Sequence, residues 1–276
     1  MTKRTVSIIL LCVLILGMFT GCTDKLGLSI GGTSEVEYKI ENDEATVSKA
    51  PDLSTITEVK IPDEHEGRPV TKIADFSVVN LENVAVIYIG KNVKEIGAWA
   101  FTNNQKLKEF VVDEENEYFC SFDGVLFTKD MKTLLFYPPL KGYDAEKKTM
   151  KYEIPEGVET IRTKAFYKCD KLTELVIPNS VKAIEEMSFF RCSALASLSF
   201  PENLEFIGKD AFSYCSCVPE TTIPSSVKEI GDYAFYNCTS MMKVTVENEE
   251  AAISLGKKWY PTKNGQNMDV EIIWNK

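Results

Sequence analysis

Residues 154–176 read IPEGVETIRTKAFYKCDKLTELV, and three segments of equal length follow without a gap: IPNSVKAIEEMSFFRCSALASLS (177–199), FPENLEFIGKDAFSYCSCVPETT (200–222) and IPSSVKEIGDYAFYNCTSMMKVT (223–245). Each opens with an apolar residue and proline, and has apolar residues at its fifth and eighth positions. Phenylalanine recurs at the thirteenth position and cysteine at the sixteenth: Phe166, Phe189, Phe212 and Phe235, and Cys169, Cys192, Cys215 and Cys238. Self-similarity at a fixed period of this length predicts a repeat architecture.

The same frame extends upstream of these four segments. Residues 89–111 keep the phenylalanine as Phe101, but replace the proline by Gly90 and the cysteine by Asn104, and a weaker copy precedes them. One unit cannot bury its own apolar face, whereas units stacked about 4.8 Å apart, the spacing of paired strands, align identical positions into a continuous core. We therefore expect a repeat solenoid in which each coil has a β-strand and a short helical turn around the Ala-Phe pair.

The motif is roughly I-P-x-x-V-x-x-I-x-x-x-A-F-x-x-C-x-x-L-x-x-L-x, and it resembles the BspA-like class of bacterial leucine-rich repeats, known from cell-surface proteins. The resemblance covers about residues 35–246. It implies a right-handed solenoid with one coil per repeat and a short strand near the end of each motif. It implies adhesion only loosely, because a fold does not determine a function.

The leucine-rich-repeat solenoid, residues 35–246, is interrupted once. Residues 113–153 hold two apolar runs that flank Thr128 to Thr133, which is a hairpin pattern. We interpret this stretch as a modified coil that carries one inserted, projecting β-hairpin. A domain break near Asp113 or Lys148 is the alternative interpretation.

Both ends of a solenoid need a cap, because the terminal apolar face would otherwise meet water. At the start, a hairpin around Asn42 and Asp43 is the predicted N-terminal cap. Residues 247–276 are the predicted C-terminal cap, with a helix that begins after Asn248 and extends to about Lys258. A final strand up to Trp274 should follow it.

The N-terminus has the features of an export signal. Lys3 and Arg4 precede an almost wholly apolar stretch, residues 6–19, which is short for a membrane span of about 20 residues. The following Thr-Gly-Cys resembles the lipobox of bacterial lipoproteins, in which the signal is cleaved before a cysteine that then carries a diacylglycerol. By this resemblance residues 1–21 are a lipoprotein signal peptide, Cys22 is the lipidation site, and residues 22–34 are a flexible tether. An ordinary secretory signal with an accidental cysteine is the alternative.

Composition narrows the possible partners. The chain has 276 residues and a formal net charge of -10, and apolar residues run throughout its length. An acidic surface repels phosphate backbones and anionic head groups. The sequence therefore predicts no nucleic-acid partner, and we expect contact with a membrane only through the lipid on Cys22.

The cysteines and the single histidine do not indicate catalysis or metal binding. Cysteines in register on neighbouring coils would lie about 4.8 Å apart at Cβ, whereas a disulfide requires about 3.8 Å. We therefore interpret the four repeat cysteines as buried free thiols, and a linear column lacks the tetrahedral convergence that zinc requires. His65 lies in an acidic loop, and no nucleophile or phosphate-binding motif accompanies it. The sequence predicts no enzyme, no cofactor and no metal site, and assigns no role to Cys120 or Cys217.

The outward side of the strands is the surface most suited to ligand binding. Side chains that flank the inward apolar position of each strand should point onto one sheet, which is first apolar and acidic and then rich in hydroxyls. The candidate ligand face consists of Val86, Tyr88, Glu109, Val111, Glu174, Val176, Ser197, Ser199, Glu220 and Thr222, continued by Lys243 and Thr245. Tyr88 is its only aromatic residue, so a plain solvated face is the alternative.

These features favour a protein- or glycan-binding, adhesion-type module that is lipid-anchored to the bacterial cell membrane on its extracytoplasmic side. Its ligand would be a protein or a polysaccharide outside the cell. The alternative is a structural or assembly subunit of an envelope complex, which would have a bacterial partner and no host ligand.

Overall fold

The structure, a computed structural model, describes residues 36–50, 55–263 and 266–275. The predicted signal peptide, Cys22 and the whole predicted tether, residues 22–34, therefore lie outside the described residues. From the first described residue onward the chain winds into stacked coils with a spacing of about 23 residues. Most coils contribute two short strands that pair with the neighbouring coils.

The strands of the first half are β1 (Glu37–Glu41), β2 (Glu44–Lys49), β3 (Glu58–Ile61), β4 (Glu64–His65), β5 (Arg68–Ile73), β6 (Val86–Ile89), β7 (Glu95–Ile96), β8 (Glu109–Val112), β9 (Phe119–Phe122), β10 (Val125–Thr128) and β11 (Thr133–Phe136). Those of the second half are β12 (Lys151–Glu153), β13 (Thr160–Ile161), β14 (Glu174–Val176), β15 (Ala183–Ile184), β16 (Phe206–Ile207), β17 (Glu220–Ile223), β18 (Glu229–Ile230), β19 (Lys243–Val246), β20 (Ser254–Leu255), β21 (Thr262–Lys263), β22 (Gln266–Asn267) and β23 (Glu271–Trp274).

The strands near the end of each motif form the strand face, defined here as the outward side of β3, β6, β8, β12, β14, β17, β19 and β23 together with residues 196–200. Neighbouring strands pair in parallel and in register, as in the pairing of Glu220 with Lys243 and of Thr222 with Thr245. Partners are thus one repeat apart. This is the strand that the repeat pattern predicts.

A second set of parallel strands runs along another side of the coils, and the sequence analysis did not foresee it. It consists of two-residue strands at the seventh and eighth motif positions, including β13, β15, β16 and β18, and β20 continues it beyond the last regular segment. Their second residue is the buried isoleucine of the motif, as at Ile161, Ile184 and Ile207. The eighth-position isoleucine therefore occupies a strand and not merely an apolar turn.

The expected helical turn around the Ala-Phe pair is wrong. The segment forms successive turns on a third side of the coil, the turn face, which comprises motif positions ten to seventeen. Lys164 and Lys168 have φ values of 62° and 59°, and a left-handed residue at this spacing interrupts a helix. Every second backbone N–H of this segment donates to the next coil, and the others donate within their own turn. Phe166 donates to Ser188 O at 2.7 Å, for example, whereas Cys169 donates to Phe166 O.

The phenylalanines of the motif stack in a column through the core. Ring centroids of successive residues lie 4.7 Å, 5.1 Å and 5.5 Å apart from Phe166 to Phe235, and their planes differ by 17°, 6° and 8°. Tyr137 from the insertion extends the column at one end, with its ring 4.8 Å from that of Phe166. Each ring covers the ring of the next coil, so that neighbouring coils bury each other's apolar side chains, as the repeat pattern requires.

The cysteines of the motif form a parallel column of free, buried thiols. The thiol of Cys192 donates to Phe166 O at 3.2 Å, and those of the next two coils make the same contact with the preceding phenylalanine carbonyl. In the upstream copy Asn104 replaces the cysteine and binds backbone too: its amide donates to Val78 O and Phe101 O, and its Oδ1 accepts from Leu81 N. Both side chains thus bond backbone groups inside the coil.

The insertion forms a three-stranded antiparallel unit rather than one projecting hairpin. Strand β10 pairs with β9 across the Asp123-Gly124 turn and with β11 on its other side. Strand β11 in turn pairs in parallel with β13. Its side chains separate two clusters of buried residues: Leu126 faces the N-terminal cluster, and Phe127 faces the C-terminal one. The insertion therefore lies between two stretches of solenoid core and packs against both.

The N-terminal hairpin is present as β1 and β2, which turn at Asn42 and Asp43. The predicted helix after Asn248 is absent from the described residues, where a short 3-10 turn, Glu250–Ala252, stands in its place. The Asn248 side chain donates to Val227 O at 2.7 Å instead of capping a helix. Residues 247–263 and 266–275 continue the coil pattern, since β20 pairs with β18 and β23 pairs with β19.

Replacement of Phe212 by alanine should destabilise the protein by about 3–5 kcal/mol, because it empties a place between two stacked rings. Urea unfolding followed by circular dichroism measures this change. Met242→Ala, at a side chain that is 60% exposed, is the control and should shift the free energy of unfolding by no more than about 0.5 kcal/mol. Equal effects at the two positions would contradict the stacked core.

The thiol column predicts a pH dependence of stability. Burial raises the pKa of Cys238 from its ordinary value of 9.0 to about 12. Above pH 9 the unfolded chain loses this proton while the folded chain keeps it, so the folded state binds more protons and stability falls as the pH rises. The loss should be about 1.4 kcal/mol per pH unit for this one thiol.

Urea titrations of the wild-type chain and of Cys238→Ala between pH 8 and 11 would isolate this contribution, because all other titrating groups are shared. The advantage of the wild-type chain in free energy of unfolding should shrink with each step above pH 9. A constant difference across the range would show that the thiol is not held protonated by the fold.

Candidate functional site

The predicted ligand-face residues all point outward on the strand face. Glu109, Val111, Glu174, Val176, Ser197, Ser199, Glu220 and Thr222 are exposed, and Val86, Tyr88, Lys243 and Thr245 are half-buried. In the first block Val86 pairs with Glu109 and Tyr88 with Val111. The alternation of inward and outward residues along each strand therefore follows the period of two that the sequence predicts.

The structure does not bring these residues onto one sheet, as the sequence analysis expected. The strand face is divided into three blocks, which are β3-β6-β8, β12-β14 and β17-β19-β23. The insertion separates the first block from the second. Residues 196–200, which contain Ser197 and Ser199, form no strand and separate the second block from the third.

Pro219 accounts for the break between residues 196–200 and the third block. In other coils the residue at the same motif position donates its N–H to the preceding coil: Thr173 to Met150 O at 2.9 Å, Ala196 to Thr173 O at 3.1 Å, and Met242 to Pro219 O at 2.8 Å. Proline has no N–H to donate. The first backbone hydrogen bond that would join the third block to residues 196–200 is therefore missing.

Thr221 supplies a partial substitute for that bond. It takes the inward position where neighbouring coils have Leu198 and Val244, and it is 5% exposed. Its hydroxyl donates to Leu198 O at 3.0 Å. A side-chain hydroxyl thus satisfies a carbonyl that a strand partner satisfies elsewhere, because a buried carbonyl without a partner would be costly.

A hollow of about 940 Å³ opens beside this interruption. It is lined by half of the predicted ligand face, namely Ser197, Ser199, Glu220, Thr222, Lys243 and Thr245. Its volume lies in the range of about 300–1,000 Å³ that is typical of ligand pockets. The structure therefore brings the hydroxyl-rich C-terminal half of the face together around one concavity, without the residues of the first two blocks.

The hollow is polar and acidic. Glu202, Glu220 and Glu247 line it against one ammonium group, that of Lys243. None of these three carboxylates belongs to an ion pair found in the described ranges, and all three are exposed. Hydroxyl groups can both donate and accept hydrogen bonds, whereas carboxylates only accept. The arrangement is suited to a partner that brings hydrogen-bond donors and positive charge.

The N-terminal block has a different character. Tyr88 is covered on one side by Lys60, whose Nζ lies 5.3 Å from the ring centroid. Val111 beside it is 37% exposed, and Val176 in the second block is 54% exposed. This part of the face is flat and mixed in polarity, and Tyr88 remains its single aromatic residue.

His65 and the two unassigned cysteines take no part in the hollow. His65 lies in a tight hairpin, with its ring stacked 3.9 Å from that of Tyr38. Cys217 is exposed, and Cys120 is half-buried with Met131 Sδ 3.5 Å from its sulfur. Burial raises the pKa of Cys120 and of the four column thiols, which keeps them as neutral thiols. Within the described ranges no cluster of His, Cys, Asp and Glu could hold a metal ion.

Sequence reasoning missed part of this site. Glu202, Asn203 and Ser225 line the hollow from the turns that follow the strands, and a face defined only by strand alternation does not include them. Pro219 is the signal that could have located the hollow, because a proline cannot donate a hydrogen bond to a neighbouring strand and therefore marks the edge of a sheet. A proline at this motif position is absent from the other three segments of the regular array.

Comparison with known proteins agrees with the fold. The family model described as BspA type Leucine rich repeat region matches residues 52–125 and 143–256 in six copies. A leucine-rich repeat protein from Eubacterium ventriosum is similar in structure, with 20% identity and a TM-score of 0.58, over 78% of this chain and 66% of that one. The pneumococcal vaccine antigen PcpA is similar with 21% identity and a TM-score of 0.55, over 80% of this chain and 68% of its own.

The chain thus spans about two thirds of the length of these two solved proteins. No curated protein matches it. The family match indicates no enzymatic family. Across the described ranges no helix has the length and apolar character needed to cross a bilayer.

Proposed function

Because the chain belongs to the BspA-type leucine-rich-repeat family, we propose that it is an extracytoplasmic binding module, not an enzyme, whose ligand docks on the strand face. The observation that supports this most directly is the 940 Å³ hollow at the Pro219 interruption, which gathers six predicted ligand-face residues. A module of this kind presents an extended surface on repeated strands, and its loops and strand side chains can vary without disturbing the core.

The proposed ligand is an extended, basic segment of a protein outside the cell. Three carboxylates against one ammonium group favour a positively charged partner, since complementary charge steers association and rejects partners of like charge. The hydroxyls of Ser197, Ser199 and Thr222 offer further hydrogen bonds along the same line. A polysaccharide on this surface is the competing outcome of the experiment below.

A charge reversal tests this surface. Purified wild-type chain, Glu220→Lys and Glu229→Lys would be measured by surface plasmon resonance against immobilised extracellular-matrix proteins and glycans. For a protein ligand, Glu220→Lys should raise the dissociation constant at least about tenfold, equal to about 1.4 kcal/mol. Glu229→Lys makes the same charge change at an exposed residue of β18, away from the hollow, and should leave binding unchanged.

Three results would count against the proposal: no ligand above background, equal losses in the two variants, or loss only for glycans. The last result would keep a binding role and replace the protein ligand by a polysaccharide. A protein recovered only from the bacterial envelope by crosslinking, with no external ligand, would favour an assembly subunit instead.

The proposed anchor is a lipid on Cys22, which would hold the module to the bacterial cell membrane. Its support is the apolar segment and the Thr-Gly-Cys at residues 20–22. Each buried CH₂ of an acyl chain contributes about 0.8 kcal/mol, so two or three chains hold a protein firmly. No other membrane contact is proposed.

Cys22→Ala should abolish incorporation of labelled palmitate and release the protein from the membrane fraction into the soluble fraction or medium. Cys217→Ala, at an exposed cysteine of the solenoid, is the matched control and should keep both the label and the membrane association. Continued labelling of the Cys22→Ala chain would refute the anchor.

A further inference from the structure

The turn face carries a row of aromatic side chains that is separate from the core column. Successive ring centroids lie 5.2 Å, 5.9 Å, 5.4 Å, 5.3 Å and 5.7 Å apart. In chain order the rings belong to Phe76, Trp99, Tyr167, Phe190, Tyr214 and Tyr236. Phe76 is 57% exposed and the others are half-buried, so the row reaches the surface along its whole length.

The row continues across the insertion, because the turn faces on its two sides are in direct contact. The ring centroids of Trp99 and Tyr167 lie 5.9 Å apart, and Lys168 donates to Asn103 Oδ1 at 2.8 Å. On the strand face the same insertion separates two blocks. The turn face is therefore the longer uninterrupted surface of the two.

Cationic side chains accompany the aromatic row. Arg191 lies 5.3 Å from the ring centroid of Tyr214 and 6.0 Å from that of Phe190, and Lys168 Nζ lies 5.3 Å from that of Tyr167. Neither cation belongs to an ion pair found in the described part of the chain. Lys164, at 3.5 Å from the Trp99 ring, is only 4% exposed and supports that ring from below. Arg191 is exposed.

A groove of about 680 Å³ runs beside the row over six successive coils. Carboxamides line it, among them those of Asn80, Asn103 and Gln105, together with Lys168 and Arg191. Its one carboxylate, Asp170, lies 3.7 Å from the neighbouring Lys171. The groove is thus net positive in a chain whose formal charge is -10, which makes it the opposite of the acidic hollow on the strand face.

These features match an acidic polysaccharide. Carboxamides donate and accept hydrogen bonds, as sugar hydroxyls require. The planar guanidinium of Arg191 suits a planar carboxylate, to which it can form two parallel hydrogen bonds. Aromatic rings offer apolar surface to the C–H faces of a sugar. The lining residues recur at the same motif positions in successive coils, which fits a linear polymer of repeated rings, and the overall acidity disfavours a nucleic acid.

We propose that the turn-face groove is a second binding site, which takes a linear polysaccharide of uronic-acid residues, with Arg191 and Lys168 pairing with its carboxylates and Tyr214 contacting a sugar ring. The site is independent of the hollow on the strand face. A protein ligand could dock there while this groove holds a glycan.

Isothermal titration of the purified full chain in detergent would test the groove with oligogalacturonate and with its methyl ester, which keeps the sugar rings but removes the charge. The acid should bind at least about tenfold more tightly than the ester. Arg191→Gln and Lys168→Gln should each weaken binding of the acid about tenfold and leave the ester unchanged. Tyr214→Ala should weaken binding of both probes about fivefold.

Lys243→Gln is the matched control, because it removes the same charge from the strand face. It should leave binding of the acid unchanged, and so should Glu220→Lys, which separates a failure of this groove from a failure of the strand face. Circular dichroism of each variant confirms that the fold is kept.

Equal binding of acid and ester, no detectable binding of oligogalacturonate at millimolar concentration, or full affinity in Arg191→Gln would each overturn the proposal. A poly-glutamate peptide is the final arm. Binding of this peptide without binding of oligogalacturonate would identify the groove as a site for an acidic protein.

Discussion

The structure depends on the contact between one coil and the next at the same motif position. Each phenylalanine of the column is covered by the phenylalanine one repeat away, and each column thiol reaches the carbonyl of the phenylalanine in the preceding coil. No coil has a complete core of its own, because its upper and lower faces are both apolar until a neighbour covers them. The constancy of the 23-residue spacing is therefore a requirement of packing, since a shift of one residue would misalign every column together.

This constraint leaves the outward positions free to differ. Ser199, Thr222 and Thr245 share one motif position on the strand face, while Lys168, Arg191 and Tyr214 share one on the turn face. The core columns fix the spacing of both rows, but not their chemistry. One solenoid can therefore present an acidic, hydroxyl-rich surface on one side and a positive, aromatic surface on another, with the same buried residues beneath the two.

The parts of the fold that follow from repetition could be read from the sequence, and the parts that follow from single exceptions could not. The spacing of Phe166 and Phe235 predicted the column, and the alternation around Leu175 predicted which side chains face outward. The turn conformation was missed because the Ala-Phe segment has no distinctive secondary-structure propensity. Its residues with positive φ, such as Lys164, are not of the types that usually adopt the left-handed conformation, so the sequence does not indicate them. The short strands were missed because two residues are too few to show a period of two.

The candidate site was only half predictable for the same reason. Strand alternation supplied Ser197 and Glu220, but the division of the face depends on one missing N–H at Pro219 and on an insertion whose pairing is not local. The aromatic row escaped notice because its members are divided among three motif positions: Phe76 and Trp99 hold the eleventh, Tyr214 holds the fifteenth, and the other three hold the fourteenth. Only the folded turns bring them into line.

The missing bond at Pro219 also affects how the molecule responds to force. At this joint the short strands β15 and β16 remain paired, and Phe189 still donates to Ala211 O on the turn face at 2.8 Å. Two sides of the joint are held by backbone bonds, and the third is held mainly by the hydroxyl of Thr221. Bonds on two sides and not on the third favour bending about the bonded sides. We expect such bending to change the width of the hollow while the column of rings stays stacked, and thereby to accommodate partners of different thickness.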